Sequence, residues 1–395
     1  MTAGIRRTIT ALTGCLLLSG CAQTVEGSPT ADSSAVPRPE TGSFSTTARS
    51  LGAPTHASGQ MLESLRMAET IPYLFDIDPA LHLSGTVRAE GRAALPQMVR
   101  YMFGTAAGTA LRDAEVGTAV SASNAVGGGM DDPTVALREV TVSVFRMASS
   151  DEASRAVGPG LLAAEDVPTG GAAPPKVVMS VPGYGNAVAY SQDFRGGKNP
   201  TIALVAHDRY VIGVRGDLGV EQIRAYFDKQ TAELDRFIPT PLEKVTTLAL
   251  DRDGVAGLTV APADGATSYA MSPRVAALQR TDVQRSVRAF ADAGVDAVGV
   301  GAGTTSRAKD APGAARLADA LLAEYTETKP SVQRESVPGV PRGTCLTYRF
   351  KVGSDATRTT CVVPVGRHVA EFTDPQRGRA MQGIGAAYLI LDGRR

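Results

Sequence analysis

The segment VTVSVF (140–145) places apolar residues at alternate positions, the period of a strand with one face in a core. It runs into SSDEASRAV, where serine precedes acidic residues as at a helix start. Further on, DAPGAARLADALLAEY (310–325) has Pro312 in its first turn and Ala314, Ala318, Leu321, Leu322 and Tyr325 on one stripe, which predicts an amphipathic helix. Three strands are predicted after each of these helices. The last two form a tight hairpin, turning at Asp208-Arg209 in one case and Gly366-Arg367 in the other. A helix from Asp217 closes the first series, with Val220, Ile223, Phe227, Leu234 and Phe237 on one side and a stop before Pro239 and Pro241. In the second series Asp374 is the expected cap and Pro375 the first helical residue. Gly383 and Gly385, at about 1 kcal/mol each relative to alanine, predict that this last helix is short or frayed.

The two series align with each other. SVPGYGNAVAY (180–190) and SVPGVPRGTCLTY (336–348) share a start and an end, and ALVAHDRYVIGV (203–214) lines up with CVVPVGRHVAEF (361–372). Ser336 follows Ser180 by 156 residues, Cys361 follows Ala203 by 158 and Asp374 follows Asp217 by 157, the near-constant offset of a duplication. A further helix is expected before each first strand, at AALPQMVRYMF (93–103) and TDVQRSVRAFADAG (281–294). The order strand, helix, three strands, helix predicts an α+β fold of two tandem related domains, 51–243 and 244–395, each an antiparallel sheet packed by helices on one face. The stretch 104–132 reads as an insertion in the first copy.

At 395 residues with 43% hydrophobic and 20% charged side chains, the chain has the composition of ordinary packed cores. Lys+Arg and Asp+Glu both total 40, so no net field points to nucleic acid as a partner. Residues 1–20 have the three parts of a secretory signal: Arg6 and Arg7, an apolar stretch over 8–18, and small residues Ser19 and Gly20 before Cys21. That stretch falls short of the roughly 20 residues needed to span a bilayer. Residues 21–50, rich in Ser, Thr, Pro and Gly, read as a disordered tether.

Leu18-Ser19-Gly20-Cys21 resembles the lipobox of bacterial lipoproteins, which implies diacylglyceryl transfer to the Cys21 sulfur, cleavage before it and acylation of the new terminus. Two or more acyl chains anchor stably where one does not. A plain signal peptide cut elsewhere is the alternative. With the Cys345 and Cys361 pair, the VGRHVAEF hairpin and the closing AAYLIL helix, the chain resembles uncharacterised two-domain lipoproteins of mycobacteria and related actinomycetes, a family that brings no established activity.

Cys345 and Cys361 fall in neighbouring predicted strands, and export would place them in an oxidising compartment, so a disulfide is expected. Two buried free thiols are the alternative; a metal pair would lack two further ligands. Counting back from Tyr190 and Tyr348, the first-copy equivalents are Ala187 and Ala203, which should face each other across adjacent strands.

No catalytic, cofactor-binding or metal-ligating constellation is expected. His207 and His368 flank the two hairpin turns at non-equivalent positions and read as exposed turn residues, with a catalytic base as the lesser reading. Asp76 and Asp78 in FDIDP, and Asp131 and Asp132 in MDDP, precede prolines and read as turn residues before cation ligands. GVGAG (299–303) meets neither phosphate-loop fingerprint. The sequence predicts a lipid-anchored envelope protein that binds another envelope protein or an apolar molecule. An envelope hydrolase with a histidine base and an extracellular sensing module are the alternatives.

Overall fold

Two seven-stranded antiparallel sheets carry the chain, and they share one strand order. In the computed structural model the fold is described over residues 38–125, 137–164, 174–193, 200–350 and 355–393. The first half runs α1 (His56–Ala68), β1 (Leu83–Gly91), α2 (Leu95–Phe103), α3 (Thr105–Ala110), β2 (Val116–Ala125), β3 (Leu137–Arg146), α4 (Ser150–Ala156), α5 (Gly160–Ala163), β4 (Val177–Met179), β5 (Val188–Ser191), β6 (Thr201–His207), β7 (Tyr210–Gly216) and α6 (Val220–Leu234). The second runs β8 (Tyr269–Met271), α7 (Pro273–Leu278), α8 (Val283–Ala293), β9 (Ala297–Val300), β10 (Thr304–Arg307), α9 (Ala311–Thr328), β11 (Gln333–Ser336), β12 (Thr344–Arg349), β13 (Thr357–Val365), β14 (His368–Asp374) and α10 (Arg377–Asp392). The sheets read β1-β2-β3-β7-β6-β5-β4 and β8-β9-β10-β14-β13-β12-β11, so each strand has a counterpart in the other half. The α+β class and the two tandem related domains are as the sequence predicts.

Local signals explain most helix ends. Ser149 accepts the Glu152 N–H and Asp310 accepts the Gly313 N–H, capping α4 and α9. Asp282 caps α8, which Gly294 ends in the left-handed conformation. The hairpin turns fall at the predicted pairs, with positive φ at Asp208 and Gly366. Asp374, expected as a cap, instead accepts the Gln376 N–H in a turn before α10. Each half has seven strands rather than four, because β1, β2 and β4, and likewise β8, β9 and β11, are short or built of small residues. The expected insertion at 104–132 supplies α3 and β2 over its described part.

Both sheet faces are covered, which extends the single helical layer expected from sequence. In the first half, Val142, Val144, Ala203, Val205, Ile212 and Val214 pack with Ile223, Tyr226 and Phe227 of α6. The alternate positions, Phe145, Tyr190, Ile202, Leu204 and Val211, pack with Leu95, Val99 and Phe103 of α2 and with Ala153 of α4. The second half repeats this, with Leu317, Leu321 and Leu322 of α9 on one face and Ile384, Ala387 and Ile390 of α10 on the other. Each large side chain so buried contributes about 1.5–3 kcal/mol.

Three features join the halves. Helix α1 buries Met67 in the first core and Leu62, Leu65 and Ala68 in the second. A bridge pairs Leu83 with Asp282, and the Val283 N–H donates to the His82 carbonyl at 2.8 Å. Arg274 donates to the carbonyls of Glu69 and Ile71 and lies over the Tyr73 ring. Residues 38–50, expected within the tether, lie against the second half: Phe44 meets the Phe372 ring edge-on, and Arg49 donates to Thr259 and Ser268. The signal region 1–20, Cys21 and the rest of the tether to residue 37 lie outside the described residues.

Candidate functional site

Cys345 in β12 stands directly opposite Cys361 in β13, and the two form a disulfide. Both are fully buried, in the core that α10 covers. Their first-half counterparts are Ala189 and Ala203, paired across β5 and β6, rather than Ala187 and Ala203. The offset of β12 from β5 is the 156 set by the shared SVPG start. Tyr190 and Tyr348, whose spacing gives 158, are not equivalent. A slip of two residues keeps the sheet face, so Ala189 and Ala203 share the α6-side core just as the cysteines share the α10-side core.

A second cluster forms where α1, the end of β3 and the segment after α6 converge. Glu63 is fully buried; its Oε1 accepts the Thr240 N–H at 2.7 Å and its Oε2 accepts from Arg66 at 2.6 Å. Arg66 also donates to Thr240 Oγ1 and to the Ile238 carbonyl. Arg146 donates to the Thr240 carbonyl at 2.7 Å and lies 3.4 Å from Glu63. These charge-assisted bonds fix the segment that enters the second half. The outer side of Arg146 borders a cleft of about 250 Å³ with Glu115, Arg209 and Glu243. Burial pushes the Glu115 carboxyl up, and Arg146, Arg209 and Arg92 offset this only in part.

The third cluster lies beneath α9. Arg280 donates to Glu371 at 2.8 Å and Glu324 at 3.1 Å, while Tyr325 donates to Glu371 at 2.7 Å. Burial disfavours the guanidinium charge, but the two carboxylates outweigh it and hold Arg280 well above its ordinary range. The group joins the start of α8, α9 and β14, a structural cross-brace made of charges whose loss would leave buried partners unpaired. Sequence spacing gives no sign of it, since the partners lie 44 and 91 residues apart.

The residues singled out from the sequence do not converge. His207 Nε2 lies 2.7 Å from Asp235 Oδ1, and that carboxylate is exposed. His368 opens β14 opposite Val365, so the two histidines sit on the turn ends of different sheets. His82 pairs with Asp282 at 3.3 Å. Asp78 Oδ1 accepts the Ala80 N–H in a turn, and its Oδ2 meets Arg138 at 2.5 Å and Gln222 at 3.0 Å. Asp131 and Asp132 lie outside the described residues. GVGAG spans the end of β9 and the β9–β10 connection, where the Ala302 N–H donates to the Val260 carbonyl. Among the described residues no group of three or more His, Cys, Asp or Glu is placed to hold a metal, and no helix is long and apolar enough to cross a membrane.

No curated protein sequence matches the chain. Among solved structures it is similar to the extracellular domain of PknH from Mycobacterium tuberculosis, at 10% identity and a TM-score of 0.33, over 44% of this chain and 97% of that one. The two halves defined by the sheets coincide with two matched family regions, the N-terminal domain of unknown function DUF7373 over 51–250 and its C-terminal domain over 247–393. The chain therefore belongs to the DUF7373 family, with both of the family's domains in tandem.

Proposed function

We propose that this protein is an exported lipoprotein, held by acylated Cys21 on the outer face of the cytoplasmic membrane or in the cell envelope, whose folded body binds another envelope component. The observation that carries the reading is Leu18-Ser19-Gly20-Cys21 directly after a short apolar stretch. The Cys345–Cys361 disulfide supports it, because such bonds persist in oxidising compartments and are rare in the cytosol. The shared helix α1 and the clamp around Glu63 support a body that acts as one scaffold. Side chains fill the space between sheets and helices, which favours a partner met at the surface over an apolar molecule held inside.

Mass spectrometry of the protein taken from its native membrane tests the reading. The expected result is a mature terminus at Cys21 carrying diacylglyceryl and acyl mass, with Cys21→Ser releasing the chain from the membrane fraction. A terminus elsewhere, or an unmodified Cys21, would overturn it.

A further inference from the structure

On the α9 side of the second sheet a cleft of about 200 Å³ opens between helix and strands. Asp319 and Leu322 of α9 form one wall, Arg334 of β11 and Arg342 of the β11–β12 connection the other, with Thr344 and Pro364 between them. Arg146 is engaged by Glu63 and Glu115, Arg280 by Glu324 and Glu371, and Arg307 by Asp296. Among the described residues Arg334 and Arg342 have neither a carboxylate at ion-pair distance nor a side-chain hydrogen bond, and Asp319, which lines the same cleft, lies beyond ion-pair distance of both. We propose that this cleft binds a phosphodiester group, gripped by the two guanidinium groups.

The duplication supplies an internal comparison. Met179 pairs with Ala189 and Glu335 with Cys345, so Arg334 corresponds to Val178, and the same offset sets Arg342 against Asn186. Asn186 is tied to the Ala206 carbonyl and Val178 faces solvent. The same strand order thus forms without either charge, and the arginines are an addition to one copy that folding does not require. A guanidinium presents a planar fork of donors that matches the oxygens of phosphate or carboxylate, and two such forks beside one small cleft favour a single anionic group between them. The volume lies below the roughly 300 Å³ at which pockets enclose a whole drug-sized ligand, so one group of a larger molecule enters. Asp319 selects within the class: its carboxylate repels the second charge of a dianionic monoester, leaving a monoanionic diester preferred. This inference stands without the lipid anchor.

Calorimetric titration of the full chain carrying Cys21→Ser, with dimethyl phosphate and with inorganic phosphate, tests it. Co-sedimentation with phosphatidylglycerol vesicles against phosphatidylcholine vesicles separates a lipid headgroup from a free diester. Dimethyl phosphate, phosphatidylglycerol vesicles or both should bind, and Arg334→Ala with Arg342→Ala should weaken that binding at least about tenfold. Both arginines are exposed, so an unchanged melting temperature will show that the double variant folds. Asp319→Asn should raise the affinity for inorganic phosphate relative to the diester, a change that a structural role for Asp319 would not produce. Binding unaltered in the double variant, or no binding by either diester source, would overturn the proposal.

Discussion

Gly385 in α10 lies against the carbonyl oxygen of Glu40, so that a Cβ at position 385 would fall 2.6 Å from it. Two residues earlier, a Cβ at Gly383 would fall 2.4 Å from the Phe372 ring. The two glycines that propensity reads as weakening the last helix therefore let it lie between the sheet and the segment 38–50, and α10 forms in full from Arg377 to Asp392. Gly385→Ala should lower stability by about 1–3 kcal/mol through overpacking, despite a propensity gain of about 1 kcal/mol. The same change should expose 38–50 to proteolysis. A raised melting temperature with unchanged cleavage would show that the close contact does not govern this helix.

The register of β5 and β6 makes a second prediction. Ala189 and Ala203 are directly opposed, as Cys345 and Cys361 are. The double variant Ala189→Cys, Ala203→Cys should form a cross-strand disulfide on oxidation, stabilising by up to about 3 kcal/mol. Ala187→Cys with Ala203→Cys should not. Alkylation followed by mass spectrometry distinguishes bonded from free thiols, and free thiols in the first pair would refute the register.

What the sequence made legible were the features whose cause is local. The hairpin turns at Asp208 and Gly366, the Ser149 and Asp310 caps and the stripe of α9 each depend on residues within a few positions, and each lies where the pattern puts it. The disulfide was legible because cysteine is rare in the chain and its two partners fall in one hairpin-linked pair of strands. β2 and β9 were not, because glycine, alanine and serine alternate with too little contrast to mark a face. The segment 38–50 reads as a tether since it holds only one aromatic side chain, Phe44; Arg49 secures it to residues more than 200 positions away. The clusters around Glu63 and Arg280 look like surface charge in the sequence, and only the fold brings Thr240 or Glu371 beside them.

The Arg280 cluster gives a prediction about buried charge. Arg280→Met would leave Glu324 and Glu371 facing each other without their cation, at a cost of about 3–5 kcal/mol near neutral pH. Without the guanidinium, nothing offsets the repulsion between the two carboxylates in their buried site. Urea midpoints at neutral pH should show the deficit. Adding Glu324→Gln and Glu371→Gln should restore much of the loss. A deficit unaffected by those changes would mean that shape alone, and not charge, holds this region together.

Asp78 gives a prediction with a direction in pH. Burial pushes its carboxyl up, but the Ala80 N–H, Arg138 and Gln222 outweigh burial and hold it below the usual carboxylate range. A carboxyl whose folded value lies below its unfolded value of about 3.9 contributes stability that is present above that pH and lost as pH falls through the folded value. The interaction ties the turn after Phe75 to β3 through Arg138 and to α6 through Gln222, three elements around one core. Asp78→Asn should therefore cost about 1–3 kcal/mol at neutral pH, the range for hydrogen bonds to a charged group. The cost should diminish toward about pH 3, where the parent loses the same contribution. Chemical denaturation across that range reads both curves; if they stay parallel to the acid end, the charge on Asp78 contributes nothing and the turn depends on its amide-like geometry instead.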